Sequence, residues 1–396
     1  MLGFGRTPLA WKNLTHDPRR LLIAVSGVTF AVVLMFMERG FQQALFDSTV
    51  AMVRRFNADI VINSKSRYSL SASGRFPANK IPLAQSCEGV EAAYPIYIEN
   101  YMAVIRKPDY PSRPIRVVGL DVRADLLGGD LAPALDKYRP LLLGPETAII
   151  DTKSKKGIYR FDPSLPKPTD PMELFLADKS ITLVGTFELG TDFANDGTVF
   201  MSLDNFAHYF PFRELPSHPL STADLGLVIC EESAESELVA KRLQTLLGEN
   251  VDVRTRADFV DSEISFWDNS TPIGKVFFVG VLMGFIVGVL ICYQVLFNDI
   301  SDHMPEFATL MAMGYSSFYF ISLVVREAVY LALFGFLPGV VISWALFHAI
   351  SFATGLPTAH TLLNVLLVLV ATIVMCIVSG LLAVRKLLGA DPANLF

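Results

Sequence analysis

Cysteine is scarce in this chain, with four among 396 residues. No two of them form a C-x-x-C pair, and no Cys/His group has metal-ligand spacing, which argues against a zinc-stapled or iron–sulfur protein. Cys292 and Cys376 fall in long apolar runs and read as small packing residues. Cys87 and Cys230 fall outside those runs and are able to pair if their compartment is oxidising, which spacing alone does not decide. The six histidines are scattered, and there is neither H-E-x-x-H nor G-x-S-x-G. The sole Gly-Lys pair, Gly274-Lys275, is followed by Val276 and has no glycine five residues earlier, so no phosphate-binding loop of the Walker type exists. No catalytic, cofactor-binding or metal-ligating residue is therefore expected. Charge is also thin: 18% of residues are charged and the net charge is −6, which leaves no basic surface to propose for nucleic acid.

Apolar residues are plentiful instead, at 52%, with a mean hydropathy of +0.43. They gather in four runs. A helix crossing a bilayer needs about 20 apolar residues, because each residue rises about 1.5 Å and the hydrocarbon core is about 30 Å thick. Leu21 to Met37, Val276 to Phe297, Ala328 to Ile350 and Leu362 to Leu382 meet that need. The first run also resembles a signal peptide. The absence of an A-x-A-like site and the helical continuation from Glu38 through Gln43 favour an anchoring helix.

Lysine and arginine set the orientation. Arg6, Lys12, Arg19 and Arg20 precede the first run, and Arg385 and Lys386 follow the last, so both termini are predicted to be cytoplasmic. The predicted order is a cytoplasmic segment (1–20), a first span (21–40), an extracytoplasmic stalk and domain (41–275), a second span (276–297), a cytoplasmic loop (298–327), spans at 328–350 and 362–382, and a cytoplasmic tail (383–396). Residues 38–275 hold 26 basic and 33 acidic side chains, a mildly acidic exterior. No ionisable group falls at the centre of a span, which argues against a proton- or ion-coupled carrier.

Beyond the first span, Phe41, Leu45, Phe46, Val50 and Val53 keep helical spacing and predict a stalk. Strands are predicted at Ala58–Ile62, Ile115–Leu120 and Ile181–Phe187. A strand–helix–strand unit is predicted from Leu225–Ile229, Ser233–Leu247 and Val251–Val253, with the strand at 59–62 as its partner. A β-rich lobe of about 112–215, broken by the proline-rich 163–171 stretch, is expected as an insertion. The fold class is thus a four-span α-helical membrane protein with a large extracytoplasmic α+β domain of two lobes.

Two features point toward function. Gly280, Gly284 and Gly288 form consecutive G-x-x-x-G steps on one helix face, read either as packing against the chain's own helices or as a homodimer seam. In the cytoplasmic loop, Pro305 and Glu306 suit a first helical turn, Gly314 suits a cap, and Phe307, Leu310 and Met311 form an apolar stripe. That stripe suits either a helix lying on lipid or a knob for a soluble partner.

The segment Glu306-x-Ala308-x-Leu310-x-Ala312-x-Gly314 after the second span resembles the R-E-x-G-x-L-R-A-L-G segment of FtsX/MacB-type ABC permeases. The start Pro8-Leu9-Ala10-Trp11-Lys12-Asn13-Leu14 and the ending Arg385-Lys386 with Asp391-Pro392 are similar to the same family. Gly40-Phe41-Gln42-Gln43-Ala44-Leu45-Phe46-Asp47-Ser48 resembles its DevC branch most. Pro305 and Met311 stand where the family has basic residues. The resemblance implies a non-enzymatic permease subunit in a bacterial inner membrane, with ATP bound by a separate ATPase dimer at the loop. It further implies a second copy of the chain, a periplasmic adaptor and an outer-membrane channel, and export of glycolipid, other lipid or another cargo by transmitted motion. Lipoprotein release and FtsX-like control of cell-wall hydrolases are the alternatives it leaves open.

Overall fold

The computed structural model describes residues 17–106, 112–154, 172–192, 194–213, 218–304, 309, 313–314, 316–354 and 361–388. The chain divides into two compact units. One comprises Met1–Gln43, Ile273–Ile350 and Thr358–Phe396, the other Ala44–Pro272 with Ser351–Pro357.

Helix α1 (Pro18–Arg54) is unbroken over 37 residues, or roughly 55 Å at 1.5 Å per residue. The second unit then unfolds its elements in order: β1 (Ile60–Ser64), β2 (Phe76–Pro77), α2 (Lys80–Gln85), β3 (Val90–Glu99), β4 (Val104–Arg106), β5 (Arg113–Pro114), β6 (Arg116–Leu120), α3 (Ala132–Leu142), β7 (Thr147–Asp151), β8 (Met172–Leu176), β9 (Lys179–Phe187), β10 (Thr198–Ser202), α4 (Leu203–Tyr209), β11 (Thr222–Ala223), β12 (Leu225–Cys230), α5 (Ser236–Leu247), β13 (Val251–Thr255) and α6 (Arg256–Ser265). Eleven strands make one sheet in the order β13-β1-β12-β3-β6-β10-β7-β9-β8-β4-β5.

The predicted strand–helix–strand unit is present with its predicted partner. β1 lies between β12 and β13, antiparallel to both, with Ile60 opposite Val228 on one side and Thr255 on the other. The segment expected as an inserted lobe supplies β5 to β10, which continue the same sheet through the β3–β6 pairing of Ile98 with Val118. β1, β6 and β10 are buried at every position, so their apolar runs are continuous rather than alternating. The two faces still separate with a period of two. Ile60, Ile62, Val117 and Val199 join Phe206 of α4 and Leu243 of α5. Val61, Val118 and Phe200 join Val50 and Phe56 beyond the first unit, and Phe259 of α6.

The β13 edge is closed by a side chain. Gln244 of α5 donates its amide N–H to the Val251 carbonyl (3.0 Å) and accepts from the Val253 N–H (2.9 Å). That leaves fewer free backbone groups for a foreign strand to pair with.

Among the described residues the first unit holds three further helices: α7 (Pro272–Asp302), α8 (Ser317–Thr354) and α9 (Leu362–Leu388). With α1 they are, among the described residues, the four helices long and apolar enough to cross a membrane. They run past the apolar segments. α7 reaches Asp302 and α8 begins at Ser317, so the connection expected over 298–327 is shorter between helices. Hydropathy marks the lipid-facing length, whereas the backbone hydrogen bonds continue through the polar ends.

Candidate functional site

Two places were singled out by sequence: the glycine face of α7 and the segment between α7 and α8. Pro305, Glu306, Phe307, Leu310 and Met311 lie outside the described residues. The termini that carry part of the resemblance and the 163–171 stretch lie outside them too. Around that segment, the Met313 N–H donates to the Thr309 carbonyl at 3.1 Å, and Gly314 has φ +93°, a left-handed conformation that favours glycine.

The glycine face is fully described. Gly284, Gly288, Cys292, Leu296 and Ile300 are buried at every fourth position of α7. All three glycines meet other helices of the same chain. A methyl group built on Gly280 would touch the Glu38 carboxylate. One on Gly284 would sit 3.5 Å from the Leu34 Cβ and the Met35 Cγ. One on Gly288 would sit 2.8 Å from the Ala31 Cβ and against the Met375 sulfur. Their absent side chains thus admit α1 and α9.

α1 is the hub of the unit. Ala24, Val28, Ala31, Val32, Met35 and Phe36 recur at helical spacing and are all buried. Gly335 and Gly339 of α8, which flank Pro338 and suggest a kink from sequence, take Val28 and Val32 of α1 at close approach. Polar groups add cross-links between helices. The Thr29 hydroxyl donates to the Gly335 carbonyl at 3.1 Å. The Ser379 hydroxyl donates to the Val289 carbonyl at 3.0 Å. Asn364 of α9 bonds Gln43 and accepts from Arg39 at 3.4 Å. The Cys292 and Cys376 sulfurs lie 3.6 Å apart between α7 and α9. Arg20 at the start of α1 forms an ion pair with Asp302 at the end of α7.

Sequence reasoning missed Glu327. It was placed in the loop, yet it is 1% exposed within α8. The available signal was its phase: Leu323, Val324, Glu327, Ala328 and Leu331 share one helical stripe, and all are buried.

The second unit carries its own buried charges. Asp224 receives Arg67 at 3.2 Å and also Arg213, and accepts the Ile98 N–H at 2.7 Å. Glu99 accepts the N–H groups of Tyr101 and Met102, at 2.9 and 3.1 Å. Arg213 lies 5.4 Å from the ring centres of Tyr97 and Phe206. Glu263 accepts from the Leu70 N–H and the Trp267 indole, each at 2.9 Å, while its burial pushes its pKa above the usual carboxylate value. The Asp151 carboxyl is raised by burial as well, although it accepts three backbone N–H groups. Cys87 and Cys230 are both free thiols, and burial pushes the Cys230 thiol up to about 11. Among the described residues no three His, Cys, Asp or Glu side chains form a group able to hold a metal ion.

Residues 277–392, a stretch that holds most of α7 and all of α8 and α9, match the family model described as FtsX-like permease C-terminal. A comparison with curated proteins finds no match. Among solved structures, the extracellular domain of the ABC-type transporter YknZ from Gram-positive bacteria is similar at 14% identity. That likeness covers 50% of this chain and 100% of that one, with a TM-score of 0.33. The periplasmic region of MacB from Actinobacillus actinomycetemcomitans is similar at 8% identity over 52% of this chain and 93% of that one, with a TM-score of 0.35.

Proposed function

We propose that the chain is the permease subunit of an ABC export system, nearest in kind to the DevC branch. The observation that carries this reading is the FtsX-like permease match over residues 277–392, which begins in α7, crosses the intervening segment and ends after α9. A separate cytoplasmic ATPase dimer binds and hydrolyses ATP and docks on the segment holding Pro305, Glu306, Phe307, Leu310, Met311 and Gly314. Two copies of the chain form the membrane part. Both termini are cytoplasmic, as their arginines and lysines favour. The large domain is periplasmic and meets an adaptor, which leads to an outer-membrane channel.

The chain transmits motion rather than conducting a solute. Support comes from the uncharged centres of its spans and from α1, a single helix that contributes to the cores of both units. Glycolipid or another lipid suits such a route, because the cargo need not pass between the helices.

Leu310→Asp tests the reading. Placing a carboxylate on the apolar stripe opposes docking of the ATPase. In a reconstituted complex the variant is expected to retain fold and ATP hydrolysis by the partner and to lose export. Normal export by that variant contradicts the assignment of the segment. An acylated protein released without an adaptor, or a wall hydrolase bound to residues 112–215, points to one of the two alternative roles.

A further inference from the structure

Cys292 and Cys376 are the two cysteines of the first unit, and both are fully buried. Their sulfurs lie 3.6 Å apart, although 84 positions separate them along the chain. Three further contacts fix the crossing of α7 and α9 at which they meet. The Met375 sulfur lies against Gly288, and the Ser379 hydroxyl donates to the Val289 carbonyl at 3.0 Å. A methyl group built on Gly380 would sit 3.5 Å from the Leu296 Cδ1. Positions 288, 289 and 296 of α7 thus face 375, 379 and 380 of α9, and the cysteine pair lies within that seam. Gly288 and Gly380 contribute no side chain to hold the two helices apart.

A disulfide sets its sulfurs about 2.05 Å apart, so this pair has roughly 1.5 Å left to close. Two side chains share that movement, each by turning about its Cα–Cβ bond. Burial decides which reactions remain open. A thiol sealed between packed helices is shielded from charged and bulky reagents and from the thiols of other molecules. Hydrogen peroxide is small and uncharged, so it is the kind of oxidant that such packing excludes least. Once one sulfur is oxidised, the thiol waiting beside it is the other member of the pair.

We propose that Cys292 and Cys376 form a redox clasp, which peroxide converts to a disulfide that staples α7 to α9. Peroxide first takes one thiol to a sulfenic acid and departs as water. The second sulfur then attacks the sulfenic sulfur. The S–S bond forms, the S–O bond breaks, and the hydroxyl leaves with the second thiol's proton as water. Two thiols and one hydrogen peroxide give one disulfide and two waters, with sulfur oxidised and peroxide oxygen reduced. The closed loop contains the whole of α8, so α7 and α9 no longer slide past each other while the bond stands. The clasp requires neither ATPase nor cargo and stands apart from the export reading.

The test treats the full-length chain in detergent with hydrogen peroxide. Catalase then removes the oxidant, free thiols are alkylated in denaturant, and the digested chain is weighed without reductant. Sulfoxides on the exposed Met102 and Met313 confirm that the dose was effective. A peptide pair joined through Cys292 and Cys376, two hydrogens lighter than its thiol form, is expected from a chain that still runs as a monomer on a non-reducing gel. Closing so long a loop constrains the unfolded chain, so the melting temperature is expected to rise by roughly 5 °C or more and to return after reduction. Cys376→Ala and Cys292→Ala are each expected to abolish the joined peptide and the shift, while the mass measurement on the parent chain needs neither variant. Methionine sulfoxides formed while both cysteines remain open to alkylation overturn the clasp and leave the pair as packing. Sulfinic acid on either cysteine without the joined peptide, or a disulfide linking two chains, overturns it as well.

Discussion

Ala31 of α1 and Gly288 of α7 stand face to face, so close that a methyl group on Gly288 would come within 2.8 Å of the Ala31 Cβ. Both atoms belong to helix walls that cannot swing aside. One turn earlier, Gly284 leaves 3.5 Å to its nearest neighbours, an ordinary contact. The two glycines therefore predict opposite outcomes. Gly288→Ala overpacks the helix contact and is expected to cost about 1–3 kcal/mol. Gly284→Ala fits and gains the helix propensity of alanine, up to about 1 kcal/mol. Thermal unfolding of the solubilised chain checks the order: Gly288→Ala melts below the parent, and Gly284→Ala at or above it.

At the sheet edge, Gln244→Leu removes both bonds that close β13. The loss of a side chain that satisfies two backbone groups is expected to destabilise the second unit by about 1–3 kcal/mol. The exposed edge should also promote self-association. Unfolding curves and light scattering read the two effects separately.

Glu263 supplies a pH dependence. Its carboxyl is raised by burial, so the folded state holds a proton that the unfolded chain has already released. Stability therefore falls as pH rises from the ordinary carboxylate value through the raised one. Glu263→Gln removes this titration while keeping an acceptor for the Trp267 indole. The variant is expected to lose stability at low pH, where its amide no longer suits the Leu70 N–H as well. It should also show a flatter decline across the window than the parent. The difference between the two pH profiles of unfolding is the measurement, since Asp151 titrates in the same direction in both.

Much of this architecture was legible in the residues. The four spans follow from uncharged runs, and the partnership of β1 with β12 and β13 follows from the apolar strands flanking an amphipathic helix. The end of α7 was not legible because Asn298–Asp302 is polar yet keeps helical bonds, and the start of α8 was missed because Arg326 and Glu327 separate the apolar Phe318–Val325 stretch from the run that follows. Gly335 and Gly339 were legible only as the neighbours of Pro338; that they also admit Val28 and Val32 depends on which helix packs there. Glu327 was hidden by its charge, which suggests exposure until its phase with Leu323 and Leu331 is noticed. The unity of the sheet across residues 112–215 depends on the β3–β6 pairing, a long-range register that no local pattern announces.

The central claim is that this chain works as the membrane part of a machine fuelled by another subunit. Tagged chain purified from its native membrane in mild detergent measures that directly. The account predicts that an ATP-hydrolysing subunit follows it in a fixed ratio and leaves when Leu310 is replaced by Asp. A chain that purifies without any nucleotide-hydrolysing companion, yet performs its transport in vesicles alone, contradicts it.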